Sequence, residues 1–151
     1  LRPFTRFMRA LDEWASVYPE ERIFAQTGLG SFVPRHMSFA GICSRKSYLE
    51  RMQNASIVVA HAGIGSLIAA REAGKPIVIC PRRQALGEHE SDHQVDTARW
   101  LKGQDGVFVA MTETDLWVQI SKARPYSRSA SPQSYTTPMF FAERLREAIA
   151  A

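Results

Sequence analysis

The stretch NASIVVAHAGIGSLIAAREAGKPIVICPRRQALGEHESDHQ, Asn54 to Gln94, decides the fold. Its opening run, Ser56 to Ala60, is apolar and β-branched, as suits a strand buried on both faces, and it stops at His61, Gly63 and Gly65 before a helical pattern begins. Gly74 ends that helix and a second apolar strand, Pro76 to Cys80, follows. Strand, glycine turn, helix and strand make a β-α-β unit with the right-handed crossover of a parallel sheet. Ligands of such sheets bind outside the carboxyl ends of the strands. Both ends are polar here. His61 to Ser66 follows the first strand, and Arg82, Arg83, Glu88, His89, Asp92, His93 and Gln94 follow the second.

Working outward, Phe4, Phe7, Met8, Leu11, Trp14, Ala15 and Tyr18 recur at helical spacing after Pro3, a residue favoured at the start of a helix. In a Rossmann-like pattern a strand and a glycine turn precede such a helix, so a first strand is expected to be missing from this sequence. Arg22 to Thr27 and Met37 to Gly41 read as strands, and Ser44 or Ser47 caps a helix running to Gln53. Beyond the central stretch come a helix through Val95, Ala98, Trp100 and Leu101, a strand from Val107 to Ala110, and a helix from Thr114 to Lys122. The order predicts an α/β layer fold with a Rossmann-like parallel sheet. Residues 1–123 form that domain. The Ser, Pro and Tyr content of Arg124 to Pro138 predicts a linker, and Met139, Phe140, Leu145 and Ile149 mark one side of an amphipathic closing helix over residues 139–151.

At 151 residues, 45% hydrophobic, the chain has material for one core. Two cysteines, Cys43 and Cys80, make no disulfide framework, and a reducing cytoplasm fits. No apolar run approaches the roughly 20 residues that span a bilayer, and no charged-then-apolar leader opens the chain. The net charge of +4 is scattered rather than gathered into a basic groove, which argues against a nucleic-acid partner and leaves an anionic small ligand open.

Gly63, Gly65 and Ser66 suit a phosphate cradle, because a glycine turn opening a helix presents unpaired N–H groups at the positive end of the helix dipole. A tight packing turn would use the same residues. His61 suits a phosphate or sugar hydroxyl, or a structural hydrogen bond. Arg82 and Arg83 leave the next strand on the same edge and suit an anion, or solvent. Glu88, Asp92 and Gln94 suit sugar hydroxyls, or a solvated helix start. His89-Glu90-Ser91-Asp92-His93 also matches the HExxH pattern of zinc hydrolases. That chemistry needs the middle of a helix and a third ligand, while the flanking residues read as a loop entering a helix, so no metal is expected.

Taken together, HAGIGS, AGKPIVICPR and GEHESDHQ resemble the carboxyl-terminal, donor-binding half of inverting GT-B glycosyltransferases of the family 28 type. They are most similar to stand-alone catalytic subunits of two-component enzymes, namely the eukaryotic dolichol-linked N-acetylglucosaminyltransferase and bacterial exopolysaccharide glucuronosyltransferases. The likeness runs from Pro3 to about Ile120. It implies that His61, Gly63, Gly65, Ser66, Glu88, Asp92, His93 and Gln94 hold a UDP-sugar as donor substrate, with no separate cofactor. It implies a lipid-linked sugar acceptor, and a membrane-associated acceptor-binding subunit that brings the catalytic base and holds the complex at the cytoplasmic face. The closing helix would form part of that contact. Arg82 and Arg83 would favour a carboxylate-bearing donor such as UDP-glucuronate. A non-catalytic nucleotide-binding subunit is the alternative.

Overall fold

The computed structural model describes residues 2–28, 30 and 32–129. The elements, in order, are α1 (Thr5–Val17), β1 (Phe24–Gln26), β2 (Ser38–Ala40), α2 (Arg45–Asn54), β3 (Val58–His61), α3 (Ile64–Glu72), β4 (Ile77–Cys80), a 3-10 turn (Gln84–Leu86), α4 (His93–Leu101), β5 (Val107–Val109), a second 3-10 turn (Glu113–Asp115) and α5 (Leu116–Ser129). The α/β order read from the sequence is the order observed. Ser44, rather than Ser47, caps α2, its side chain accepting from the Ser47 backbone N–H at 3.2 Å.

All strand pairs are parallel, but they fall into two sheets, β1-β2 and β3-β4-β5. Among the described strands, β4 alone is paired on both edges, and its residues are buried throughout. Alternation of side chains along β4 divides the core. Val78 and Cys80 face α1 and α5, with Phe7, Leu11, Trp14, Leu116 and Ile120. Ile77 and Ile79 face the opposite layer, with Met52 of α2, Leu67 and Ala70 of α3, and Ala98 and Leu101 of α4. The indole N–H of Trp117 donates to the Ala10 carbonyl at 3.0 Å and ties α5 to α1.

The linker expected from Arg124 differs from the structure in its first six residues, because α5 continues to Ser129 with Pro125 inside it. Packing overrides composition there. The Arg124 guanidinium lies over Trp14 and Tyr18, and Tyr126 meets Phe108 edge-on while its hydroxyl donates to Asp105 at 2.6 Å. The rest of the expected linker and the closing helix with Met139, Phe140, Leu145 and Ile149 lie outside the described residues.

Asp12 organises the loop before β2. Its carboxylate accepts from the backbone N–H groups of Arg35 at 3.0 and 3.1 Å and of His36 at 2.8 Å. Burial alone would raise its pKa, but the bonds from the His36 and Arg35 N–H groups outweigh it and hold the group below the usual carboxylate range. A depressed folded pKa contributes stability above the ordinary carboxylate value, and that contribution is lost as pH falls through the folded value. Asp12→Asn, with one acceptor oxygen in place of two, is expected to lower unfolding free energy by about 1–2 kcal/mol at neutral pH. The gap from the unsubstituted protein should close in acid; urea titrations from neutral pH downward check this, and a gap independent of pH would rule out the carboxylate as its source.

Candidate functional site

The polar ends of β3 and β4 open on one edge, where α3 and α4 begin and where the chain enters α1. Gly63 is the N-cap of α3, and its backbone is extended, with φ −91°. Its need for glycine comes from His61, since a Cβ there would stand 2.1 Å from the imidazole Cε1 and 2.7 Å from Nδ1. Around Gly65, by contrast, a Cβ would meet nothing within 4 Å. No side chain caps α3, so the N–H groups of its first turn, including that of half-buried Ser66, are left for a ligand or water.

His61 ends β3. Burial, with the charge of Arg82 adding to it, pushes its pKa down, so the ring is neutral near pH 7. Its Nδ1 lies 3.1 Å from Nε2 of Gln94, and Oε1 of Gln94 accepts from the Arg82 backbone N–H at 3.1 Å. Gln94, second residue of α4, is only 5% exposed.

The two arginines are engaged by the protein itself. Arg82 Nη1 donates to the Arg2 carbonyl at 2.6 Å and the Glu88 carbonyl at 3.3 Å, and its guanidinium lies over the Phe4 ring at 4.8 Å. Burial lowers the Arg82 pKa, against the pull of Glu88. Arg83 Nη2 donates to the Met111 carbonyl at 2.8 Å.

Glu88 is also engaged, through a residue that sequence reasoning missed. Arg6, in the first turn of α1, donates from Nε to Oε1 of Glu88 at 2.7 Å and from Nη2 to Oε2 at 2.9 Å, a bidentate pair. Glu88 Oε2 accepts further from the Arg83 backbone N–H at 3.0 Å, and Arg6 donates also to Glu113 at 2.8 Å and the Pro81 carbonyl at 2.9 Å. Burial opposes the charge of Arg6, but Glu88, Cys80 and Glu113 more than restore it and its pKa is raised. The neighbouring Cys80 thiol is pushed up to about 11 by burial, despite Arg6. Gly87, at φ 69°, is the left-handed turn residue that returns the chain so that the Glu88 N–H bonds the Arg83 carbonyl at 3.1 Å. A lone arginine among the aromatics of a helix, 82 positions from its carboxylate, leaves no local signal in the sequence.

Asp92 Oδ1 accepts from the Gln84 N–H at 3.0 Å, and exposed His93 is the first residue of α4. His89 lies in the preceding loop, its Nδ1 accepting from the Ser91 N–H at 3.3 Å. The two histidines of the HExxH pattern therefore do not share successive turns of one helix. Among the described residues no group of three or more His, Cys, Asp or Glu could hold a metal ion. Of the residues singled out in the sequence, the structure gathers His61, Gly63, Arg82, Glu88 and Gln94 into one bonded cluster beside the open N-terminus of α3. Asp92 braces the loop, and no described bond ties the His93 side chain to this cluster.

A family model described as glycosyltransferase family 28 C-terminal domain matches residues 7–145. Human UDP-N-acetylglucosamine transferase subunit ALG13 is 29% identical over 92 residues, which is 58% of this chain and 8% of that protein. The glycotransferase of kitacinnamycin has a crystal structure that superposes with a TM-score of 0.48 at 14% identity, covering 94% of this chain and 38% of its own. The chain thus spans a small part of the human relative and under half of the crystallised one. With a match over nearly its whole length, the chain belongs to the glycosyltransferase family 28 C-terminal domains, the carboxyl-terminal half of a GT-B glycosyltransferase.

Proposed function

We propose that this chain binds a UDP-sugar at the carboxyl edge of β3 and β4 and serves as the donor half of an inverting glycosyltransferase. The observation that carries the reading is the uncapped N-terminus of α3, flanked by Gly63, Gly65 and a neutral His61. Backbone N–H groups and an aligned helix dipole suit a diphosphate, and the open space at Gly65 admits one. The human relative, by its name a subunit of a UDP-N-acetylglucosamine transferase, supports both a UDP-sugar donor and a second polypeptide.

A GT-B enzyme works between two such domains, so the acceptor site and the catalytic base belong to the other half. Its acceptor is a lipid-linked sugar, in exopolysaccharide or cell-envelope glycan synthesis. No helix among the described residues is long and apolar enough to cross a membrane, and a membrane-associated partner subunit would hold the complex at the cytoplasmic face. Arg82 donates to backbone carbonyls through Nη1 and Arg83 through Nη2, and the further N–H groups of each guanidinium would suit a carboxylate-bearing donor such as UDP-glucuronate.

In the test, UDP and UDP-sugars are titrated calorimetrically into the protein with and without its partner subunit. Saturable UDP binding is expected, with sugar transfer only in the complex. Folded protein that binds no UDP in either state would overturn the reading, and binding without transfer in the complex would favour the regulatory alternative.

A further inference from the structure

The hydrogen bonds around Gln94 contain enough to determine where His61 carries its proton. The atom of the Gln94 amide that lies 3.1 Å from the Arg82 backbone N–H must be an acceptor, because a backbone N–H can only donate. That atom is therefore the oxygen, whichever way the amide would otherwise be placed. The other end of the amide, 3.1 Å from His61 Nδ1, is the NH2 group, which can only donate. His61 Nδ1 must then be the acceptor of the pair. We propose that Gln94 is a positioning residue that locks His61 as the Nε2–H tautomer, so that the ring presents a neutral N–H donor beside the N-cap of α3.

Three features support this. Burial first, then the charge of Arg82, outweigh the hydrogen bond to Gln94 and disfavour a second proton on the ring, so one tautomer must be chosen, and the geometry of the Nδ1 contact chooses it. The Cε1 edge of the ring packs on Gly63, with Cε1 2.1 Å, Nδ1 2.7 Å and Nε2 3.0 Å from where a Gly63 Cβ would stand, so both ring nitrogens lie beside the glycine turn and Nε2 is the one that Gln94 leaves available. Gln94 is itself immobilised, being 5% exposed and on the second residue of a helix whose packing face includes Val95 and Ala98. The chain of constraint runs from the Arg82 peptide through Gln94 to the imidazole. It adds a side-chain donor to the backbone donors of α3 and gives a buried glutamine a role other than contact with a sugar. Use of that donor by a diphosphate rests on the UDP-sugar reading; the tautomer does not.

Nitrogen-15 NMR of the full chain with labelled histidine separates the two questions. The signals of His61 are assigned by their loss in His61→Gln. Expected in the ligand-free protein are an unprotonated, pyridine-type Nδ1 and a protonated, pyrrole-type Nε2 near neutral pH. In Gln94→Met, with a thermal melt showing that it is folded, the ring is expected to lose this single-tautomer signature and UDP affinity to fall by about tenfold, the loss of one hydrogen bond to a charged group. A protonated Nδ1 in the unsubstituted protein overturns the tautomer assignment. A variant that keeps the single-tautomer signature, or loses it and binds UDP unchanged, overturns the positioning role. Absence of UDP binding to the unsubstituted protein and its partner overturns the donor-site reading and leaves the tautomer result standing.

Discussion

Gly63→Ala is expected to abolish or weaken UDP binding by more than about tenfold while leaving a folded domain. The added Cβ would stand 2.1 Å from Cε1 of His61, so the ring has to swing away, and its bond to Gln94 is lost with it. The backbone at Gly63 is extended, so the substitution imposes no conformational strain and the effect is confined to the imidazole. Gly65→Ala isolates the other half of the cradle. No atom lies within 4 Å of its added Cβ, and alanine in a helix is favoured over glycine by about 0.5–1 kcal/mol, so this variant should melt no lower than the unsubstituted protein. Its UDP affinity should nevertheless drop, because the methyl group occupies the approach to the α3 N-terminus. Calorimetry and thermal melts of both variants check this, and a Gly65→Ala protein with unchanged UDP affinity would place the diphosphate elsewhere.

Arg6→Ala is the substitution expected to cost most in stability. It leaves Glu88 buried at 7% exposure with the Arg83 N–H as its remaining side-chain partner, and stranding one member of a buried ion pair costs about 3–5 kcal/mol. That is a large share of the roughly 5–15 kcal/mol that holds a domain together. Glu113→Ala removes the other acid of the network, but its side chain is 38% exposed and the loss should stay below about 1 kcal/mol. Urea unfolding of the two variants checks the ranking. If they lose similar amounts, water reaches Glu88 once Arg6 is gone and the pair is not the brace it looks to be.

What the sequence disclosed and what it withheld follow from the range of the interactions involved. Strands such as Ser56 to Ala60 and Pro76 to Cys80, and the glycine turn between them, are written in neighbouring residues. Their order was therefore legible. Glu88 and Gln94 were legible as polar residues at a strand end, but not their partners, which lie 82 positions away on α1 for Glu88 and 33 away on β3 for Gln94. Side chains suited to grip a ligand are equally suited to grip one another, and residue type alone does not distinguish the two uses. The helical course of Arg124 to Ser129 was hidden for the opposite reason. Its local composition reads as a linker, and only contacts with Trp14, Tyr18 and Phe108, made elsewhere in the chain, oppose that tendency.

The bond from Trp117 to Ala10 and the bond from Arg6 to Glu113 each span 107 positions. Contacts so distant in sequence are made only after the intervening chain has been ordered, since closing a long loop costs entropy before any contact offsets it. During synthesis α1 therefore emerges with Phe7, Leu11 and Trp14 uncovered; Val78 and Cys80 of β4 supply part of their cover, and Leu116 and Ile120 supply the rest only when α5 has left the ribosome. The face of the earliest described helix is thus the last to be fully covered, while Arg6 can reach Glu88 earlier, and only Glu113, just ahead of α5, completes the bracing of the donor edge.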